Sequence, residues 1–381
     1  MSSSTNQQSS PDVQLPPATA QVESKLYRNL MLLSGRAKKC VIEHGMKSIV
    51  GMAFAAVAAT PAEAGTVLDA IKSRGTFKCG TAQPTPGWGY TDSSGAWQGF
   101  NIDVCKAVAA ALFGNATKVE YVVVTSQSRF PALQSGEVDV LSNNTTWTLA
   151  RDSQLGFNFA PTVFYDGQGF LIPKKLGVTS ALKLDGATVC VLPGTTTELN
   201  LADYFRANKM SFKPVVIENA DEIRRAYFEG RCDVMTNDRS SLAAIRSLAS
   251  NPNDHVTLPD VISKEPLAPV VKHGDDQWFD IVKWAVYALL EAEEYGITQG
   301  NIDKMLAENK DPRIQRFLGV TPGNGAALGL DEKWAFNVVK AVGNFGEIYE
   351  RHLGPKTPLQ LERGVNDLWT RGGLMYAPPA R

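Results

Sequence analysis

Histidine is scarce in this chain of 381 residues: His44, His255, His273 and His352 are all there are. They share no ligand-like spacing, and no Cys-x-x-Cys occurs, so neither a zinc site nor any other cofactor is expected. A basic excess is also missing. Lys and Arg number 38 against 39 Asp and Glu, a net charge of −1, whereas nucleic-acid-binding modules carry a clear positive surplus. No apolar run reaches the roughly 18 residues of a membrane span. No glycine-rich phosphate loop occurs either, because Gly323-Asn324-Gly325 follows no strand-like run. What remains is ordinary globular composition, 44% hydrophobic and 20% charged, at a length that suggests two domains.

The first thirty or so residues are rich in Ser, Gln and Pro and read as disordered. The informative stretch begins at Met46. A positive start at Lys47, a short apolar core and the ending Ala62-Glu63-Ala64 have the form of a secretory signal peptide. On this reading residues 46–64 are removed after Ala64, residues 1–45 are an upstream extension or a mis-assigned start, and the product is exported to the periplasm. A genuine N-terminal extension with a buried Ala-rich helix is the other reading. No lipid-attachment pattern precedes Cys40 or Cys79.

Export bears on the remaining cysteines, Cys79, Cys105, Cys190 and Cys232. Four cysteines allow three pairings, and free buried thiols are also possible. Cys79–Cys105 with Cys190–Cys232 keeps each bridge within one half of the chain, and an oxidising compartment favours bridges.

Along the mature chain, strand-like and helix-like runs alternate. Residues 77–81 read as a strand, Ile102, Cys105, Val108 and Leu112 fall at helical spacing, and Gly114 can end that helix. Strands are expected at 119–124 and 138–141, with a short helix at 128–134 between them. A second series follows: strands at 188–192, 215–217 and 232–235, with helices at 197–208 and 222–228. This pattern predicts an α/β fold with mostly parallel sheets. The two series share a motif. Gly136-Glu-Val-Asp139-Val140-Leu141-Ser142-Asn143-Asn144 matches Gly230-Arg-Cys-Asp233-Val234-Met235-Thr236-Asn237-Asp238. Generic helix–turn–strand joints explain the glycine and the apolar residues of this motif, but not its matching polar ends. Two lobes of like topology are therefore expected, with both motifs at the C-terminal edges of strands, where open α/β sheets bind ligands.

Several polar groups fall at those edges. Arg151 can pair bidentately with a carboxylate, although alone it reads as a surface arginine beside Asp152. Thr195 and Glu198 have capping-box spacing, and a helix start attracts anions; as a bare cap it would be unremarkable. Asp238 suits an ammonium, with an Asx-turn or an Arg239 pair as the plainer alternative. Trp88, Tyr90, Phe130, Trp147 and Tyr165 are candidates for a side-chain pocket, although most aromatics in such positions belong to cores. Arginine and a helix start for a carboxylate, with aspartate for an ammonium, describe a receptor for a zwitterion rather than a catalytic centre.

At these residues the chain resembles the periplasmic general L-amino-acid-binding proteins, type II solute-binding proteins of polar amino-acid ABC transporters. The resemblance rests on Gly99-Phe-Asn-Ile-Asp103, Leu133-Gln-Ser-Gly-Glu-Val-Asp139, Asn143-Asn-Thr-Thr-Trp-Thr-Leu-Ala-Arg151, Gly194-Thr-Thr-Thr-Glu-Leu-Asn200, Ile262-Ser-Lys-Glu-Pro-Leu267 and Gly274-Asp-Asp-Gln-Trp278. It implies that Arg151 and Thr196 bind the ligand carboxylate and that the hydroxyl of Thr146 contacts the ligand backbone. It also implies that Asp238 binds the ammonium, with the carbonyl of Asn144 assisting. Two lobes of doubly wound, mostly parallel sheet joined by two hinge strands are implied: residues 65–165, then 166–262, then a return over 263–381 with a helical C-terminal extension. By analogy the crossings fall near 165–169 and 260–267. The implied partners are a free L-amino acid and an ABC permease in the inner membrane, with the binding protein a monomer. A cyclohexadienyl dehydratase-like enzyme on the same fold, or an amino-acid sensor module, is the rival reading.

Overall fold

The computed structural model describes residues 67–381; the expected signal segment and upstream extension lie outside the described residues. Two five-stranded sheets carry the chain. In the first, the spatial order is Val119–Val124, Phe77–Ala82, Val140–Leu141, Val270–Lys272 and Phe157–Phe159. The second runs Lys213–Val216, Thr188–Val191, Val234–Asp238, Gln168–Pro173 and His255–Thr257. In each, the first three strands are parallel and the fourth is antiparallel to both its neighbours. The two lobes thus repeat one topology, as the internal motif predicts.

The structure shows why the motif recurs. Asp139 accepts the backbone N–H of Lys78 at 2.6 Å, and Asp233 accepts that of Thr188 at 2.8 Å. Each aspartate therefore fastens the start of the adjoining parallel strand and sets its register. Val-apolar then enters the sheet, and the polar end of the motif emerges at the far edge.

The helix Phe100–Phe113 is apolar on nearly every face, which marks an element buried on both sides. It lies between the first sheet and the helices Asp276–Glu294 and Trp334–Val342. Gly114 closes it in the left-handed conformation, its N–H donating to Ala110 O. A disulfide joins Cys105 on this helix to Cys79 in the sheet, with Cα atoms 6.4 Å apart. Cys190–Cys232 does the equivalent in the second lobe at 5.7 Å, so both bridges stay within a lobe. Asp103, also on this helix, anchors the C-terminal extension: Arg351 donates to it at 2.6 Å and His352 Nε2 lies 2.7 Å away. Burial would raise its pKa, but the bonds and charges of His352 and Arg351 outweigh it and hold the carboxyl at about 2.

The chain crosses between lobes on Phe164–Asp166 and Glu265–Leu267, which pair antiparallel with Glu265 opposite Asp166. At Gly167, beside the crossing, a Cβ would overlap Val261 and the Ser263 carbonyl. Only glycine lets the two hinge segments lie this close.

Candidate functional site

Six parallel strands end on the same side of their sheets, three in each lobe, and the six segments that follow them enclose one cavity of about 130 Å³. Gln83–Pro86, Thr125–Arg129 and Asn143–Thr146 contribute from the first lobe. Thr195–Thr197, Glu218–Arg224 and Asn237–Asp238 contribute from the second. This is the strand-edge rule for open α/β sheets applied twice, face to face.

The lobes meet in this structure. Ser126 donates to Pro193 O at 2.7 Å, Thr125 donates to Glu218 at 2.5 Å, and the N–H of Ala220 donates to Gln83 at 2.6 Å. Gly194 (φ 70°) turns the chain here, and a Cβ on it would sit 3.2 Å from Gln127 of the opposite lobe.

Four of the five ligand candidates, Asn144, Thr146, Thr196 and Asp238, line the cavity. Asn144 adopts φ 57°, a left-handed turn that reverses the chain just past its strand, and its Oδ1 accepts from Asn101 at 2.8 Å. Thr195 caps the helix Thr196–Ala207 by accepting the N–H of Glu198, while Glu198 accepts from Gly194 rather than completing a capping box. Thr196 and Thr197 at its first turn line the cavity, and their N–H groups have no intrahelical acceptor.

Arg151 stands just behind the wall. It lies in a single turn of π-helix, Ala150–Gln154, of a kind that often marks functional positions. One of its N–H groups donates to Thr146 O at 2.8 Å, and its guanidinium lies 5.1 Å from the centroid of the Phe130 ring. Arg129 shares that ring from 4.8 Å and itself lines the cavity. Burial, with repulsion from Arg151, lowers the Arg129 pKa to about 9, against the pull of Asp238. Its Nε–H is buried with no hydrogen-bond partner.

Three acids join this group by charge: Asp238, which lines the cavity, and Asp166 and Glu265, which do not. Asp238 is buried, and its Oδ1 has no hydrogen-bond partner. Burial pushes its pKa well up, the charges of Asp166 and Glu265 add to that, and Arg129 and Arg151 oppose it. Glu265, 1% exposed, is fully engaged instead. It accepts from Thr146 at 2.6 Å, Thr196 at 2.9 Å, Asn200 at 2.8 Å and Ser263 at 2.5 Å. One carboxylate thereby fastens the first lobe, the second lobe and the hinge. The two threonine hydroxyls are 3.4 Å apart. A hydroxyl has one proton to donate, so while both donate to Glu265 each faces the cavity as an acceptor. That suits an ammonium better than a carboxylate.

None of the five aromatic candidates lines this cavity. Trp88 is a core residue, edge-on to Phe100 and Phe164. Phe130 stacks on Phe157 and supports the two arginines from beneath. Trp147 stacks on Phe159 at the surface and donates to Asp152 at 2.7 Å. The backbone of Tyr165 is paired with Asn366. Tyr90 faces a different, adjoining chamber.

Two residues of the site carry no role in the sequence reading, Arg129 and Glu265. The strand-edge rule would have found Arg129, since it follows the strand Val119–Val124. Glu265 meets Thr146 across 119 positions, and no local signal announces that contact.

Comparison with known proteins gives a consistent answer. The model of the bacterial extracellular solute-binding proteins, family 3, matches residues 77–300. The general L-amino acid-binding periplasmic protein AapJ of Rhizobium johnstonii is 53% identical over 88% of this chain and 98% of its own. The glutamate/glutamine/aspartate/asparagine-binding protein BztA of Rhodobacter capsulatus is 50% identical over 87% of this chain and 97% of its own. A solved periplasmic binding protein from Brucella ovis with glutathione bound shares 50% identity, covering 83% of this chain and all (100%) of that one, with a TM-score of 0.81.

Proposed function

Since the chain belongs to the bacterial extracellular solute-binding proteins, family 3, we propose that its cleft grips a free L-amino acid by its two backbone charges. It is an amino-acid-binding protein of an ABC transporter, not an enzyme, and works outside the cytoplasm. The observation that carries the site assignment is the unpaired, buried Asp238 Oδ1 in a cavity also lined by Arg129, with Arg151 behind it. Asp238 takes the ligand ammonium, helped by the Asn144 carbonyl and by the accepting hydroxyls of Thr146 and Thr196. Arg151, Arg129 and the start of the helix Thr196–Ala207 take the carboxylate.

The lobes divide at about residues 65–165 and 166–262, with the return and extension over 263–381. They close on the ligand about the paired hinge strands. The closed monomer then docks on a permease in the inner membrane, after export through a cleaved signal peptide. The rival readings have less support: AapJ and BztA are both named as binding proteins. A thermal-shift screen of the mature protein against the common L-amino acids and glutathione tests the proposal, because a ligand specific for the folded state raises its apparent stability. A rise with one or more of them is expected; no rise with any would contradict it.

A further inference from the structure

A second chamber, larger at about 600 Å³, opens beside the ligand cavity. Pro84, Pro86, Arg224 and Leu248 line both spaces. The two prolines and Leu248, 43% exposed, make the shared boundary largely apolar, and Arg224 stands on it. Beyond it, Arg351 and Lys356 of the C-terminal extension line the chamber, together with Tyr90. Among the described residues Lys356 is exposed and has no acidic partner. Arg224 pairs with Asp221 at 2.9 Å and Arg351 with Asp103 at 2.6 Å. Among the described residues, Asp221 is the only acid on the chamber wall, against Arg224, Arg351 and Lys356. The extension that supplies two of these cations lies beyond the family match, which ends at residue 300.

In order, then, the two spaces present a receptor for a zwitterion, an apolar neck and a cationic chamber. We propose that this second chamber is a subsite for the far end of an extended ligand. The class that fits is an L-amino acid whose side chain continues past the neck and ends in a carboxylate, as in a γ-glutamyl dipeptide. The backbone charges sit in the first cavity, the methylenes and amide pass Pro84, Pro86 and Leu248, and the terminal carboxylate meets Arg224 and Lys356. This rests on the zwitterion reading of the first cavity and extends it.

The test is calorimetry with a matched pair of ligands, γ-L-glutamylglycine and γ-L-glutamylethylamide, which differ only in carboxylate against methyl at the far end. Wild-type protein is expected to prefer the first by about threefold to fivefold, the upper scale of one added charge pair in a solvent-screened site. Lys356→Glu, at an exposed position where folding is not at risk, should remove most of that preference and leave the ethylamide and L-glutamate within about twofold. Arg224→Gln should act in the same direction. Equal affinity for the two probes in wild type, or an unchanged preference in both variants, would overturn the subsite. If neither probe nor any amino acid binds wild type, the zwitterion reading fails instead.

Discussion

Asp238→Asn separates a binding carboxylate from a structural one, because the two roles predict opposite effects on the free protein. Asp238 is buried with Oδ1 unpaired, and its charge is disfavoured by burial and by Asp166 and Glu265, against Arg129 and Arg151. In the complex an ammonium would lie against it. Removing one partner of such a buried pair costs about 3–5 kcal/mol. At ~1.4 kcal/mol per decade, affinity falls by roughly a hundredfold to several thousandfold. Without ligand the amide replaces a poorly solvated charge, so stability should hold or rise, by up to about 1–3 kcal/mol. The pH dependence has a definite sign. A carboxyl whose folded pKa is raised contributes stability that is fully present below the unfolded pKa, about 3.9. That contribution is lost as pH rises through the folded pKa. The stability of wild type relative to Asp238→Asn should therefore fall as pH rises from about 4, and ligand binding, which needs the ionised form, should release protons. Calorimetry in buffers of different ionisation enthalpy and denaturant melts across pH measure both. Affinity within threefold of wild type, or a pH-independent stability difference, would refute the reasoning.

Other consequences follow from the same geometry. Arg151→Ala removes a cation and frees the Thr146 carbonyl, and should weaken amino-acid binding by roughly a hundredfold or more, from about 3–5 kcal/mol; unchanged calorimetric affinity would remove it from the site. Glu265→Ala leaves Thr146, Thr196, Asn200 and Ser263 without their shared acceptor. It should shift the ligand-free protein toward a more open form, seen as a larger radius of gyration in solution scattering, and weaken binding at least about tenfold. Reducing the disulfides, which span 26 and 42 positions, should cost about 3.5 and 4 kcal/mol by loop entropy. Because each bridge stays inside a lobe, affinity measured below the new melting point should change little.

The repeated motif was readable because it couples two requirements that sequence expresses locally. An aspartate fastens strand register, and a polar end meets the cleft. Helix ends were readable for the same reason, as at Gly114, where glycine meets the left-handed turn. The aromatics were not. Trp88 and Phe130 carry a clear tendency toward burial, but sequence does not say against what, and both went to packing rather than to ligand. Glu265 carries no local signal of its role, since its partners Thr146 and Thr196 come from two other segments that only the closed fold brings together. Arg151 lies one layer behind the cavity wall. A turn of π-helix sets its direction, and spacing alone does not reveal that.

The central claim is that the cleft reads the two backbone charges of one amino acid. The most direct measurement is calorimetric titration of the mature protein with a tightly binding L-amino acid, its α-carboxamide and its N-acetyl derivative. Loss of either charge leaves a buried partner exposed to the full cost of desolvation. Both derivatives should therefore bind at least about a hundredfold more weakly. If either derivative binds as well as the parent amino acid, the cleft does not recognise that charge, and the account of Asp238 or of the two arginines is wrong.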